Sequence, residues 1–227
     1  MASDPDQVVP GQTPAVRQTL AEKVVRGKAA VIVIDVQNDF VADGGFAHHV
    51  GWDVPHAQVV AERLERWLPV ARGAGLPIVW VRSIYDLEWV SAPMRERNVR
   101  RGLSMPRCLS GSWGAELYRL QPEPRDAVVT KHRLDAFFRT ELDDILRGLG
   151  VETVILAGVY TEACVESTGR HAYFLDYYVV VASDLTSGTQ PASHAASLAA
   201  CERDFGIVAT SEEIEETWRV ESANQPE

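Results

Sequence analysis

The chain reads as an α/β protein: a three-layer α/β/α arrangement around a central, mostly parallel, six-stranded sheet of Rossmann-like topology. Three observations predict this. Short apolar runs such as Ala29–Ile34, Leu76–Val81 and Val154–Val159 show no polar alternation, as expected of strands buried on both faces. Segments with apolar residues at helical spacing separate these runs, so strand and helix alternate. The 227 residues are 46% hydrophobic, which suits one such domain.

The elements follow in order. Residues 1–27 form an N-terminal arm punctuated by Pro5, Pro10, Gly11 and Pro14, with a short helix over Ala15–Val25. Ala29–Ile34 is the first strand and opens a single domain spanning 28–220. A helix over Pro55–Ala74 places Val60, Leu64, Trp67, Leu68 and Ala71 on one face and stops at Gly75. Leu76–Val81 is the second strand. Residues 83–114 are long and irregular, broken by Pro93, Gly102, Pro106 and Gly111; such a connection in a compact domain is usually functional or mobile. Ala127–Thr130 is a short third strand, and a helix over Phe137–Leu149 stops at Gly150. Val154–Val159 is the fourth strand, Glu162–Asp176 a helix and Tyr178–Ala182 the fifth strand. Pro191–Phe205 is helical, with Pro191 in the first turn, where a missing N–H is tolerated. Ile207–Ala209 is the sixth strand. Ser211 caps a last helix whose Glu212 and Glu213 suit its positive end. Residues 221–227 read as a disordered tail.

Composition narrows the function classes. Lys and Arg number 22 against 32 Asp and Glu, a net charge of −10, so the basic footprint of a nucleic-acid binder is missing. Three cysteines (Cys108, Cys164, Cys201), with no CxxC, argue for a reducing compartment rather than a disulfide scaffold. The N-terminus has neither a basic start nor an apolar run, and no window of about 18 apolar residues exists. The expectation is a cytoplasmic protein with no nucleic-acid or membrane partner. Arg95, Arg97, Arg100, Arg101 and Arg107 form a local basic cluster, either a solvated loop or a recruiter of an anionic group.

Ligands of parallel sheets bind beyond the carboxyl ends of the strands. Asp35 stands at the end of the first strand, Lys131 at the end of the third, and Cys164 just after the fourth. A thiol at a helix N-terminus is easier to ionise, and the thiolate is the reactive form. Singly, each has an ordinary reading: a cysteine as core filler, an aspartate as turn cap, a lysine snorkelling to solvent. Together they suit attack of Cys164 on a carbonyl carbon. Asp35 would shuttle the proton, Lys131 would stabilise the thiolate and orient Asp35, and backbone N–H groups of Tyr160 and Cys164 would hold the oxyanion. Trp113, in a Gly-rich loop, suits a pocket wall or a subunit contact, and Tyr85 and Trp89 suit a lid. After the first strand the chain reads Val36-Gln37-Asn38-Asp39 rather than GxGxxG, so the dinucleotide fingerprint fails.

Three motifs carry a resemblance: Val33-Ile34-Asp35-Val36-Gln37-Asn38-Asp39-Phe40, the lysine of Thr130-Lys131-His132-Arg133, and Ala157-Gly158-Val159-Tyr160-Thr161-Glu162-Ala163-Cys164-Val165-Glu166-Ser167-Thr168. In this order they resemble the cysteine hydrolases of the isochorismatase-like superfamily over roughly residues 28–210. Within it the chain looks most like the ureidoacrylate amidohydrolases, N-carbamoyl amidases and biuret hydrolases. The resemblance implies the isochorismatase-like hydrolase fold and an Asp35–Lys131–Cys164 triad. It further implies a thioester acyl-enzyme, a cis peptide between Val159 and Tyr160, Phe40 packed on the substrate and Gln37 near it; Tyr160 is a further candidate for substrate contact.

The implied activity is cleavage of a C–N bond in a small amide, ureido or N-carbamoyl compound, releasing ammonia or an amine. Alternatives are a non-catalytic ligand-binding or interaction member, or a nicotinamidase- or maleamate-type amidase. No cofactor and no metal are expected. Nicotinamidases bind metal through an Asp-x-His…His cluster, whereas Arg82–Glu88 here has no histidine, and His48–His49 reads as loop. Relatives are commonly dimers or tetramers, which implies a homodimer or homotetramer. Tyr160 and Glu162 depart from the small residue and Asn or Asp usual at these positions, and Tyr160 either narrows the pocket or turns outward.

Overall fold

Six consecutive apolar residues, Ala29–Ile34, form strand β1, and all six are buried. In this computed structural model, which describes residues 16–223, β1 pairs with β2 (Ile78–Ser83) on one side and β4 (Thr153–Val159) on the other. β3 (Ala127–Lys131) lies outside β2; β5 (Tyr178–Ser187) and β6 (Ile207–Ala209) lie outside β4. The order β3-β2-β1-β4-β5-β6 has every neighbouring pair parallel. The winding reverses between β1 and β4, and such a reversal leaves a crevice at the carboxyl ends of the strands.

Alternate residues of a strand face opposite sides. Ala29, Val31 and Val33 pack with Leu64, Trp67 and Leu68 of α4 (Val54–Gly73) and with Ile214 and Trp218 of α9 (Ser211–Ala223). Ala30, Ile32 and Ile34 pack with α6 (Leu142–Gly148), α7 (Glu166–Phe174) and α8 (Pro191–Asp204) through Leu142, Leu146, Ala172 and Cys201. Two apolar layers thus clamp the sheet, each large aliphatic side chain contributing about 1.5–3 kcal/mol on burial. α4 starts where Asp53 accepts from the His56 N–H, with Pro55 in its first turn.

Several boundaries differ from the sequence reading. The helix expected over Ala15–Val25 is only α1 (Leu20–Lys23), opened by a Thr19–Glu22 capping box. After β1 come two short helices, α2 (Asn38–Val41) and α3 (Phe46–His49), so His48 and His49 lie in a helix rather than a loop. The 83–114 segment is structured. It holds a 3₁₀ turn (Leu87–Trp89), α5 (Ala92–Arg100) and the start of a second 3₁₀ turn (Trp113–Ala115). No residue of α5 is buried, so no apolar stripe announces it. Helix α6 begins at Leu142 rather than Phe137, because Arg139 takes a left-handed conformation and Asp135 and Thr140 bond the local backbone. α9 runs to Ala223, beyond the expected end at 220. Residues 1–15 of the arm and 224–227 of the tail lie outside the described residues.

Candidate active site

Asp35 follows the last residue of β1 in a left-handed conformation (φ 55°). Its N–H donates to the Val81 carbonyl (2.8 Å), and its carbonyl accepts from the Gln37 N–H (2.7 Å). The chain therefore turns sharply at the crevice. In the sheet register Ser83, the last residue of β2, lies opposite Lys131, the last residue of β3. β2 stands between the strands carrying Asp35 and Lys131, so the two side chains meet across Ser83.

The resulting cluster is tight and dry. Lys131 Nζ lies 2.7 Å from Asp35 Oδ2 and donates to Ser83 Oγ (2.8 Å), the Arg133 carbonyl (3.0 Å) and Cys164 Sγ (3.3 Å). These three hydrogen bonds use its three N–H groups. Ser83 Oγ donates to Asp35 Oδ1 (3.0 Å) and lies 3.1 Å from the Tyr85 hydroxyl. Asp35 Oδ2 is buried and, although it faces the ammonium charge, takes no hydrogen bond. Lys131 is fully buried and Asp35 is 1% exposed. Burial works against the ammonium, but the surrounding groups, led by the charge of Asp35, outweigh it and hold Lys131 well above its ordinary pKa.

Cys164 sits in a wide π-helical turn, Thr161–Val165, that leads β4 into α7. The sequence reading of an easily ionised thiol needs correction. Burial, and then the charge of Asp35, push the thiol up to about 12, while Lys131 pulls it down. Cys164 lies before α7 itself, so the pull of a helix end does not prevail over desolvation. The resting sulfur is therefore a thiol beside a carboxylate–ammonium pair.

The peptide bond between Val159 and Tyr160 is cis, in keeping with the resemblance. Among the described residues nothing accepts the Tyr160 N–H, while the Tyr160 carbonyl accepts from Ala163 and Val165. Just before it, Gly158 has φ 105°, and a Cβ there would lie 2.1 Å from the Ile34 carbonyl oxygen. Only glycine lets β4 approach β1 this closely at the site.

A cavity of about 40 Å³ adjoins the sulfur. Phe40, Trp52 and Tyr160 form an aromatic wall, with Trp52 edge-on to Tyr160 at 4.9 Å; Leu103 and Leu134 also line the space. Tyr160 turns inward: it is 3% exposed and its hydroxyl donates to the Phe40 carbonyl. Glu162 accepts from the Thr189 N–H (2.9 Å) and hydroxyl, tying the turn that carries Cys164 to the loop after β5.

Not every candidate reaches the cavity. Gln37 spends its amide on the Ser83 N–H (2.7 Å) and the Ser83 and Ala115 carbonyls (both 2.9 Å), so it braces the end of β2 instead of facing substrate. Trp113 is 52% exposed and does not line the cavity; its carbonyl accepts from Asn38. Of the five clustered arginines, Arg97 and Arg107 line the cavity with Tyr85, whereas Arg95 and Arg100 face an outer groove. Arg107 stacks over Phe46 and Tyr85. Among the described residues neither Arg97 nor Arg107 forms a salt bridge. Trp89 stacks on His132 at 3.9 Å and its carbonyl accepts from Arg133.

The sequence reading missed Ser83, Trp52, Leu103 and Leu134. None of the four carried a sequence signal of its own; Ser83 follows Arg82 and meets Lys131 only through the sheet register. Among the described residues no group of three or more His, Cys, Asp and Glu side chains could hold a metal ion. Asp86, in the stretch compared with the metal-binding segment, is occupied by the Ser110 N–H and hydroxyl.

A model of the isochorismatase domain matches residues 29–213. The chain is 35% identical over 199 residues to the ureidoacrylate amidohydrolase RutB of Enterobacter sp. (strain 638), covering 80% of this chain and 85% of that one. Among solved structures, a cysteine hydrolase from Pseudomonas syringae pv. phaseolicola superposes with a TM-score of 0.74 at 25% identity, covering 86% of this chain and 93% of that one. An N-carbamoylsarcosine amidase from Thermoplasma acidophilum superposes with a TM-score of 0.66 at 25% identity, covering 82% and 97%.

Proposed function

The chain belongs to the isochorismatase family and is a hydrolase of non-peptide C–N bonds, and from that premise we propose a cysteine-dependent amidohydrolase acting on a small ureido or N-carbamoyl acid. The observation that carries this reading is the buried cluster of Cys164, Lys131 and Asp35, in which Asp35 Oδ2 keeps an unused acceptor site. Cys164 Sγ attacks the substrate carbonyl carbon while its proton passes to Asp35. Lys131 stays protonated and offsets the charge developing on sulfur. The oxyanion is held by the N–H groups of Tyr160 and Cys164. As the C–N bond breaks, Asp35 returns the proton to the leaving nitrogen, which departs as ammonia or an amine. Asp35 then deprotonates a water that attacks the resulting acyl-enzyme, which for a ureido substrate is an S-carbamoyl thiocarbamate, and the proton returns to sulfur as the carbamic acid is released.

Arg97 and Arg107 line the cavity and, among the described residues, neither faces a protein carboxylate in a salt bridge, Arg107 donating instead to the Leu103 carbonyl and Asn98 Oδ1; this supports a substrate carrying a carboxylate, since Arg binds carboxylate with a geometric match. The relatives named for ureidoacrylate and N-carbamoylsarcosine support the same class. Exposed Tyr173 and Phe174 suit the subunit contact of a homodimer or homotetramer, and a cytoplasmic location belongs to the same proposal. No described helix is long and apolar enough to cross a membrane.

The test is an ammonia-release screen over ureidoacrylate, N-carbamoyl amino acids, biuret, nicotinamide and maleamate. Carboxylated ureido compounds are expected to lead, and Cys164→Ala to lose on the order of 10⁴-fold or more in kcat. Arg107→Ala is expected to raise KM for carboxylated substrates more than for neutral amides. Binding without turnover would favour a non-catalytic member, and preference for nicotinamide or maleamate would replace the ureido assignment.

A further inference from the structure

We propose that Ser83 is a positioning residue of this site, holding Asp35 and Lys131 in the arrangement that leaves Asp35 Oδ2 open to the thiol proton. The inference rests on the cysteine mechanism proposed above and adds a fourth member to it.

Ser83 is fully buried at the end of β2, between the strands that carry Asp35 and Lys131. A serine hydroxyl has one proton to give and two lone pairs to receive with. Here it gives the proton to Asp35 Oδ1 (3.0 Å) and receives one from Lys131 Nζ (2.8 Å). Both assignments follow from charge: an ammonium only donates and a carboxylate only accepts. Oδ1 is thereby occupied. Lys131 directs its other two N–H groups at the Arg133 carbonyl and Cys164 Sγ, so no N–H is aimed at Oδ2, although the charges stand 2.7 Å apart. Without the Ser83 hydroxyl, one Lys131 N–H would be free to swing onto Asp35. A hydrogen-bonded ion pair would then compete with the thiol for the base.

The position of Ser83 is itself braced. Its N–H donates to Gln37 Oε1 (2.7 Å) and its carbonyl accepts from Gln37 Nε2 (2.9 Å). Gln37 lies two residues beyond Asp35, so the base and its partner hydroxyl are fixed to each other by both backbone and side chain. This gives the buried Gln37 amide a purpose away from substrate.

The experiment compares wild type, Ser83→Ala, Ser83→Thr and Cys164→Ala in steady-state hydrolysis of ureidoacrylate, alongside iodoacetamide labelling mapped to Cys164. Ser83→Ala is expected to lose about 10²-fold in kcat, the scale of a misplaced catalytic group, with KM within threefold and the melting transition retained. Ser83→Thr, which restores the hydroxyl, is expected to recover most of kcat. A kcat for Ser83→Ala within threefold of wild type would overturn the proposal, as would a Ser83→Thr protein that folds but stays as slow as Ser83→Ala. If Ser83→Ala loses its melting transition, Ser83→Cys, with similar volume and a weaker donor, takes its place under the same criteria. Failure of the underlying mechanism looks different: Cys164→Ala would then retain wild-type hydrolysis whatever Ser83 does.

Discussion

At the residue scale, the site is a problem in placing charge where water cannot reach. Asp35 and Lys131 are buried together, and each charge compensates the other's loss of water, while Ser83 bonds both. Cys164 completes the arrangement as a neutral thiol pushed up to about 12 by burial and by Asp35, with Lys131 acting in the opposite sense. Removing Lys131 therefore raises the thiol further. In Lys131→Ala, Cys164 alkylation by iodoacetamide at pH 8 is expected to slow roughly tenfold or more, since a nearby opposite charge shifts a pKa by about 1–3 units. An unchanged rate would remove Lys131 from the proposed role. These three residues were legible because each ends or follows a strand recognisable as an apolar run. Ser83 was not, because a single serine after Arg82 has no spacing to mark it; only the register that sets it opposite Lys131 gives it meaning.

At the element scale, β1 and β4 bring Asp35 and Cys164 together, and Gly158 sets how closely the two strands approach. Gly158→Ala would place a methyl group 2.1 Å from the Ile34 carbonyl at φ 105°. The backbone conformation alone costs on the order of 1–3 kcal/mol for a non-glycine residue, and the clash adds to it. Denaturant titration is expected to show at least that loss, with activity falling as the two strand ends separate. Unchanged stability would contradict the close approach. The strands were legible because burial on both faces leaves unbroken apolar runs. Helix α5 was not, because it buries nothing and has no apolar stripe. The turn at Phe137–Thr140 was hidden too: its residues carry helical spacing, but Asp135 and Thr140 side chains hold the backbone out of the helix.

At the scale of the whole molecule, the six-stranded parallel sheet and its reversal point explain why residues 35, 131 and 164 share one crevice. The alternating order of elements made this architecture legible. The cavity wall was less so, because Trp52, Leu103 and Leu134 come from separate connections whose meeting depends on tertiary packing. The three buried cysteines also have a global consequence. Burial is the first cause raising each of them: Cys164 and Cys201 to about 12, and Cys108 well above its ordinary value of 9.0. In the unfolded chain these thiols ionise near 9, while in the folded protein they stay neutral. Their contribution to stability is therefore complete below pH 9 and is lost as the pH rises through the folded values. The melting temperature is expected to fall between pH 9 and 12, and Cys201→Ala to lessen that fall. A melting temperature that stays level over this range would contradict the burial of the thiols.

The most direct measurement of the central claim is acid quenching during hydrolysis of ureidoacrylate, followed by peptide mapping by mass spectrometry. The expected result is an acyl group of the substrate attached to the peptide containing Cys164, absent without substrate. Steady hydrolysis with that peptide never modified, and with the same rate in Cys164→Ala, would contradict the account.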